Sequence, residues 1–147
     1  MNKISVKTLY EQDFALWIVD TVSKLKAEEF NQVDWDNLIE EIESLGKKDK
    51  RELKNRLTTL FEHALKLQYV PLPDFYRGWE VTIKRTQSQL RDILKDSPSL
   101  QNYLLEIYTD CYQEALENVQ IEYDAPFPDI CHFSSDIDSL LTKKNLQ

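Results

Sequence analysis

The stretch DWDNLIEEIESLG, Asp34 to Gly46, contains the signals of an amphipathic helix. Asp34 is a residue type that caps helix N-termini, and acidic residues follow it where the helix dipole is positive. Gly46 is the residue type that most readily takes the left-handed conformation that ends a helix. The large apolar residues recur at helical spacing and share one face; they are Trp35, Leu38, Ile39, Ile42 and Leu45. The stretch predicts a helix that ends at Gly46 and buries this face.

The segments on either side show the same helical periodicity. Thr8 and Glu11 fit a capping box for a first helix that runs to about Ala27. A third helix is expected after Gly46, and it should stop before Pro71 because the residue before a proline disfavours the helical conformation. No stretch alternates apolar and polar residues long enough to predict a strand.

The second half of the chain predicts three more helices. One covers about residues 75–95, and the next has Ser97 as its cap and Pro98 in its first turn. A short last helix should be capped by Ser134 or Ser135.

Together these segments predict an all-α fold, an irregular up-and-down bundle of five main helices plus a short C-terminal helix. We expect one domain over residues 1–147, with the main bundle at 8–123 and a tail at 124–147.

The composition agrees with a helical globule. The chain has 147 residues, 41% of them hydrophobic, but only two glycines and five prolines, which leaves few residues for tight turns. The two cysteines do not make a disulfide framework and suit a reducing cytoplasm. The N-terminus lacks the apolar core of a signal peptide, and no apolar run approaches the ~20 residues that span a bilayer. We therefore expect a cytoplasmic protein with no membrane partner.

The net charge of −8 is unevenly distributed. Residues 47–95 hold twelve Lys and Arg against six Asp and Glu, whereas residues 96–142 hold ten acids and no Lys or Arg. A basic middle between acidic ends favours attraction between neighbouring helices or a charged partner.

Five polar residues on predicted helices form a candidate cluster: Asp13, Glu41, Glu43, Arg56 and His63. If Glu41 or Glu43 faces His63 across the turn at Gly46, the pair could act in general acid/base catalysis. The alternative is a polar clasp that fixes how two helices pack, and we favour it because no nucleophile with an adjacent base is visible. The sequence predicts no catalytic residue.

Metal and cofactor sites are not predicted either. Cys111, Cys131, His132 and Asp129 are zinc-binding types, but no CxxC pair occurs. The two glycines stand alone and form no phosphate-binding loop.

A partner surface is expected on the basic third and fourth helices and on the aromatic corner that joins them. Its residues are Lys47, Lys48, Lys50, Arg51, Lys54, Tyr69, Tyr76 and Arg77. The sequence favours a non-catalytic interaction or regulatory module that binds an acidic protein or a second copy of the chain. The alternatives are a nucleic-acid-associated regulator that uses the basic segment 47–95, and an enzyme that uses a Glu/His pair.

Several motifs together resemble a bacterial, largely cyanobacterial, family described as domain of unknown function 29. They are YEQDFALW (10–17), WDNLIEEIESLGKKDKRELKNRL (35–57), LFEHALKLQY (60–69), DSPSL (96–100) and FPDIC (127–131). They occur in order along nearly the whole chain. The resemblance implies a small all-helical domain and implies no activity.

Overall fold

The computed structural model describes residues 8–146, and within that range it contains six helices and no strand. Four helices are long: α2 (Phe14–Lys26), α3 (Trp35–Tyr69), α4 (Pro73–Asp96) and α5 (Leu100–Glu122). Two are short, α1 (Leu9–Gln12) and α6 (Ile137–Thr142), and a 3₁₀ turn lies at Phe30–Gln32. The predicted all-α fold is confirmed.

The predicted helix end at Gly46 is wrong, because α3 runs through this residue for 35 residues in all. Neither glycine has a positive φ. A glycine inside a helix costs only about 1 kcal/mol relative to alanine, and no proline follows until Pro71. The flanking leucine, glutamate and lysine residues favour the helix, so it continues.

The first predicted helix is two helices that meet at Asp13. Asp13 has an extended backbone, with φ −152° and ψ 94°, and its side chain accepts a hydrogen bond from the Leu16 backbone N–H at 3.0 Å. Asp13 therefore ends α1 and caps α2. Thr8 caps α1 as predicted, since its side chain accepts from the Glu11 N–H.

The later helices also begin at other residues than predicted. Helix α5 begins at Leu100. The backbone carbonyl of Ser97 accepts a hydrogen bond from the Leu100 N–H in a turn before the helix, and Ser97 does not cap it. Helix α6 is capped by Asp136, whose carboxylate accepts from the Ser139 N–H at 3.2 Å. Ser134, Ser135 and Asp136 all carry side chains that can cap a helix, so the sequence alone does not distinguish between them.

The chain divides into two compact units, one that ends at Gly46 and one that begins at Lys47. We call them the N-terminal and C-terminal units. The expectation of one domain stays a prediction.

The C-terminal unit holds the large hydrophobic core. Helix α3 from Leu53 onward supplies one face of this core, and α4, α5, α6 and the tail supply the rest. Phe61 lies at its centre, stacked on Phe133 at 5.6 Å between ring centroids and edge-on to Tyr108 at 5.1 Å. The basic parts of α3 and α4 are therefore anchored in this core.

Candidate functional site

The N-terminal unit leaves most of its large apolar side chains exposed. Among its described residues only Trp17, Thr21 and Val33 are buried. Ten large apolar side chains are between 42% and 64% exposed: Phe14, Leu16, Ile18, Val19, Val22, Phe30, Trp35, Ile39, Ile42 and Leu45. Exposed apolar residues scattered singly are normal, whereas large contiguous apolar patches occur at protein or membrane interaction sites and in ligand-binding grooves.

Four of these residues form a continuous row on α3, which we call the α3 stripe: Trp35, Ile39, Ile42 and Leu45. Their spacing of four, three and three residues places them on one helix face. They are 45%, 51%, 59% and 62% exposed, whereas Asp34, Leu38 and Glu41 on the neighbouring side of the helix are half-buried. The sequence predicted this face as core. The periodicity does indicate an apolar helix face, but amphipathicity does not say whether that face packs within the same chain or remains exposed.

Helix α2 carries a similar row. Phe14, Ile18 and Val22 recur every fourth residue and are 45%, 42% and 43% exposed. The buried Trp17 lies on the adjoining face of α2, where its ring stacks on Phe14 at 5.8 Å and packs edge-on against Tyr10 at 4.9 Å. Helix α2 therefore buries a narrow face with Trp17 and Thr21 and leaves the neighbouring row exposed.

The N-terminal unit is held together by polar contacts as well. The Tyr10 hydroxyl donates a hydrogen bond to the Glu41 carboxylate. This bond, with desolvation and the carboxylate charge, raises the pKa of Tyr10 to about 12. The Trp35 indole N–H donates to the Phe30 carbonyl at 2.8 Å, which orients the first side chain of the α3 stripe.

The five residues of the predicted polar cluster have different surroundings. Asp13 caps α2, Glu41 accepts from Tyr10, and Glu43 is exposed. Arg56 donates to Gln89 at 2.7 Å and lies 3.3 Å from Glu52. The pairing expected across a turn at Gly46 is not formed, because that turn does not exist.

His63 is held by its own helix. Its Nδ1 lies 2.9 Å from the Thr59 carbonyl oxygen, which can only accept, so Nδ1 carries the proton. Burial lowers the pKa of His63, which favours the neutral ring. This geometry is that of a packed, partly buried histidine.

The basic half of the predicted partner surface is open to solvent. Lys47, Lys48, Lys50, Arg51 and Lys54 are all exposed, and the Lys50 ammonium lies 5.2 Å from the centroid of the Tyr103 ring.

The aromatic half differs from the expectation of an exposed corner. Tyr69 and Tyr76 are half-buried against the core of the C-terminal unit, and Trp79 is buried. Phe75 is 54% exposed and stacks on Trp79 at 5.8 Å. Most of this corner is therefore part of the core.

Arg77 lines a surface cleft of about 630 Å³ in the C-terminal unit. Leu67, Val81 and Ile83 form its apolar part, and Lys84 and Lys144 add positive charge.

The C-terminal unit also contains a buried lysine, Lys66 on α3. Lys66 is 7% exposed, and its Nζ lies 3.6 Å from Glu122 and 5.7 Å from the centroid of the Trp79 ring. Burial also raises the pKa of Glu62, one helical turn before Lys66. The i, i+4 spacing of Glu62 and Lys66 was visible in the sequence, but the partners on α4 and α5 were not. Lys66 links three helices by charge and ring contacts.

The α6 segment and the tail are fixed by buried polar side chains. Gln87 donates from its amide to the Leu140 and Lys143 carbonyls at 3.0 and 2.9 Å. The Tyr108 hydroxyl lies 2.6 Å from the Phe133 carbonyl and 3.2 Å from the Cys131 sulfur. The buried Gln87 amide therefore finds its hydrogen-bond partners within the chain.

The cysteines have no arrangement of metal ligands around them. The Cys111 thiol donates to the Lys54 carbonyl at 3.6 Å, and burial raises the pKa of both Cys111 and Cys131. Over residues 8–146 no group of three His, Cys, Asp or Glu side chains could hold a metal ion. In the same range, no helix combines the length and the apolar character needed to cross a bilayer.

Comparison with known proteins gives one match. The family model described as Domain of unknown function DUF29 matches residues 9–145. No curated protein and no solved structure matches the chain.

Proposed function

Since the chain belongs to the Domain of unknown function DUF29 family, whose description names no activity, we propose a function from its own surfaces. The protein is a non-catalytic association module that binds another protein chain through the N-terminal unit. The exposed α3 stripe and the apolar row on α2 are the binding surface. The exposed cations Lys47, Lys48 and Arg51, which belong to the C-terminal unit, favour an acidic partner.

The amount of exposed apolar surface carries this proposal. Three aromatic and seven aliphatic side chains are each about half exposed. Taking ~200 Å² for a whole aromatic side chain and ~100 Å² for an aliphatic one, they leave roughly 650 Å² open. The largest apolar patch on a typical monomer is about 300–600 Å², and a standard interface buries about 800 Å² on each partner. The N-terminal unit therefore exposes apolar area in an amount that approaches one side of a standard interface, and the seven residues of the binding surface contribute roughly 440 Å² of it.

The basic residues support an electrostatic contribution. Lys47, Lys48 and Arg51 are exposed at the end of the α3 stripe. Charges at the rim of an interface speed association and exclude partners of the wrong sign more than they add affinity. An acidic partner is therefore favoured.

Co-purification from native cells tests the proposal. We expect the full chain to elute in a complex of defined stoichiometry, and Ile39→Glu/Ile42→Glu to elute alone, because two carboxylates in the stripe cannot be buried unpaired. Ile121→Glu is the matched control, since Ile121 is 86% exposed on α5 and outside the surface. If the unaltered chain elutes alone as a monomer in mild salt, the proposal is wrong.

Nucleic-acid binding is the second candidate, favoured by the five exposed cations within residues 47–54. Several other cations of the basic segment already have partners within the chain: Arg56 pairs with Glu52, Lys66 with Glu122, and Arg91 donates to the Leu141 carbonyl. Binding to generic DNA or RNA that weakens steeply with salt, and that is lost in Lys47→Ala/Arg51→Ala, would support this candidate.

A further inference from the structure

We propose that the surface cleft of about 630 Å³ in the C-terminal unit binds a small amphipathic anion, an apolar body that ends in a carboxylate. We call it the α4 cleft, because most of its lining residues lie on α4. The others come from the later part of α3 and from the end of α6 with the segment after it, and all belong to the C-terminal unit. The proposal goes beyond the association function and does not depend on it.

The α4 cleft has the size and the apolar character of a ligand pocket. Its volume lies within the range of about 300–1,000 Å³ that such pockets occupy. Ile83 is buried at 4% exposure, Leu67 is half-buried, and Val81 is 52% exposed. A second hollow of about 460 Å³ shares Leu67, Glu80, Ile83 and Lys144 with the cleft, so the two adjoin. An apolar body can be buried there.

The α4 cleft is also positively charged. Arg77 and Lys84 are exposed on α4, and their separation of seven residues places them on one helix face, about 10 Å apart along the axis, with Val81 between them. Lys144 adds a third cation, and its Nζ lies 3.9 Å from the carboxylate of Glu80, the one acid in the lining that the structure describes. Three cations against one acid leave a surplus of positive charge, although the whole chain has a net charge of −8.

The combination of these two properties selects the class of ligand. Burial of an apolar body in the cleft is favourable because it removes apolar surface from water. The Arg77 guanidinium can donate two parallel hydrogen bonds to a carboxylate. A small inorganic anion would leave the apolar lining uncovered, and a neutral hydrocarbon would leave the cations without a partner. A carboxylate at the end of an apolar body satisfies both.

The wall of the cleft beyond α4 is formed before any ligand binds. Gln87 lines the cleft at 5% exposure, and its amide donates to the Leu140 and Lys143 carbonyls at 3.0 and 2.9 Å. These bonds hold the segment that carries Lys144 against α4. Because a formed wall loses little conformational freedom on binding, more of the interaction energy appears as affinity.

Calorimetric titration of the purified full chain with decanoate, below its micellar concentration, tests the proposal. We expect binding at one site with a dissociation constant of about 100 μM or lower. Acetate has the carboxylate without the apolar body, and decyltrimethylammonium has the same chain with the opposite charge. Each should bind at least ~10-fold more weakly than decanoate. The net negative charge of the protein favours the ammonium compound elsewhere on its surface, so a preference for decanoate has to come from a positive site.

Variants assign the binding to the α4 cleft. Arg77→Ala/Lys84→Ala should weaken decanoate binding by at least ~5-fold at low salt, because two exposed ion-pair partners are lost. Val81→Glu should weaken it by about 10-fold, because it places a carboxylate beside the apolar body. The matched control Arg51→Ala/Arg85→Ala removes two exposed cations outside the cleft and should change the affinity by no more than ~2-fold. All five positions are exposed, so the variants should fold, and circular dichroism checks this.

Four results would overturn the proposal: no binding of decanoate to the unaltered chain, equally tight binding of decyltrimethylammonium, no effect of Arg77→Ala/Lys84→Ala, or loss of binding in Ile42→Glu. The last would place the ligand on the N-terminal unit. Tighter binding of a leucine-rich acidic peptide than of decanoate would make the cleft a protein-docking site and would also overturn the proposal. None of these results changes the complex expected from native cells, so the association function is tested separately.

Discussion

The side chains of Tyr10 and Glu41 connect α1 to α3 within the N-terminal unit. The two residues are 31 positions apart in sequence, and the hydroxyl of one donates to the carboxylate of the other. Sequence periodicity placed both residues on helices, but it carries no information on which polar side chains meet across them. Glu41 was therefore predicted as a partner of His63 and is instead a partner of Tyr10.

This contact predicts an unusual titration. The difference between the titration curves of the wild type and Tyr10→Phe should show one tyrosine that ionises near pH 12 instead of 10.0. Glu41→Gln should move the pKa of this tyrosine back toward 10.0. Because the folded chain holds this proton more tightly than the unfolded chain, the contribution of Tyr10 to the free energy of unfolding is intact below about pH 10 and is lost as pH rises through 12. Near-ultraviolet absorbance measures the ionisation of the tyrosine in the wild type and in each variant. An unshifted tyrosine in the wild type would contradict the hydrogen bond.

Lys66 allows a second prediction at the same scale. Replacing its ammonium by an apolar chain of similar volume removes the cost of desolvating a charge, while Glu122, whose side chain is 48% exposed, stays hydrated. Lys66→Met should therefore unfold at the same urea concentration as the wild type or a higher one. Lys66→Ala should lower the free energy of unfolding by about 2 kcal/mol through lost packing. If Lys66→Met is as damaging as Lys66→Ala, the ammonium itself has a role.

Among the elements, α3 departs most from what the sequence indicated. The residues around Gly46 contain an acidic start, a glycine and a change of charge, which are the signals that usually separate two helices. Helix α3 continues through these residues because each of the signals is weak. A capping preference is worth about 1 kcal/mol, and continuous helix on both sides outweighs it.

The unbroken helix predicts that Gly46→Ala is stabilising. Gly46 has no positive φ, and a Cβ there would meet no atom within 4 Å. Alanine should raise the free energy of unfolding by about 0.5–1 kcal/mol, because glycine loses more backbone freedom on folding. Urea denaturation measures the change. Loss of stability in Gly46→Ala, with no such loss in the exposed α3 control Ser44→Ala, would show that the chain needs a bend at residue 46.

For the whole molecule, the sequence predicted the helical class and most of the C-terminal core. Leu53, Leu57, Leu60 and Phe61 are fully buried as their spacing indicated. The N-terminal unit could not be predicted equally well. Hydrophobic periodicity identifies an apolar face, but Trp35 and Ile42 have the same pattern whether they meet another helix of the chain or remain exposed.

The aliphatic and aromatic character of the α3 stripe has a thermal consequence. An assembly held by such side chains draws its strength from the release of water, a driving force that weakens as temperature falls. A complex joined through Ile42 and Leu45 should therefore come apart in the cold and re-form on warming, so that chilling would expose the stripe while the chain itself stays folded.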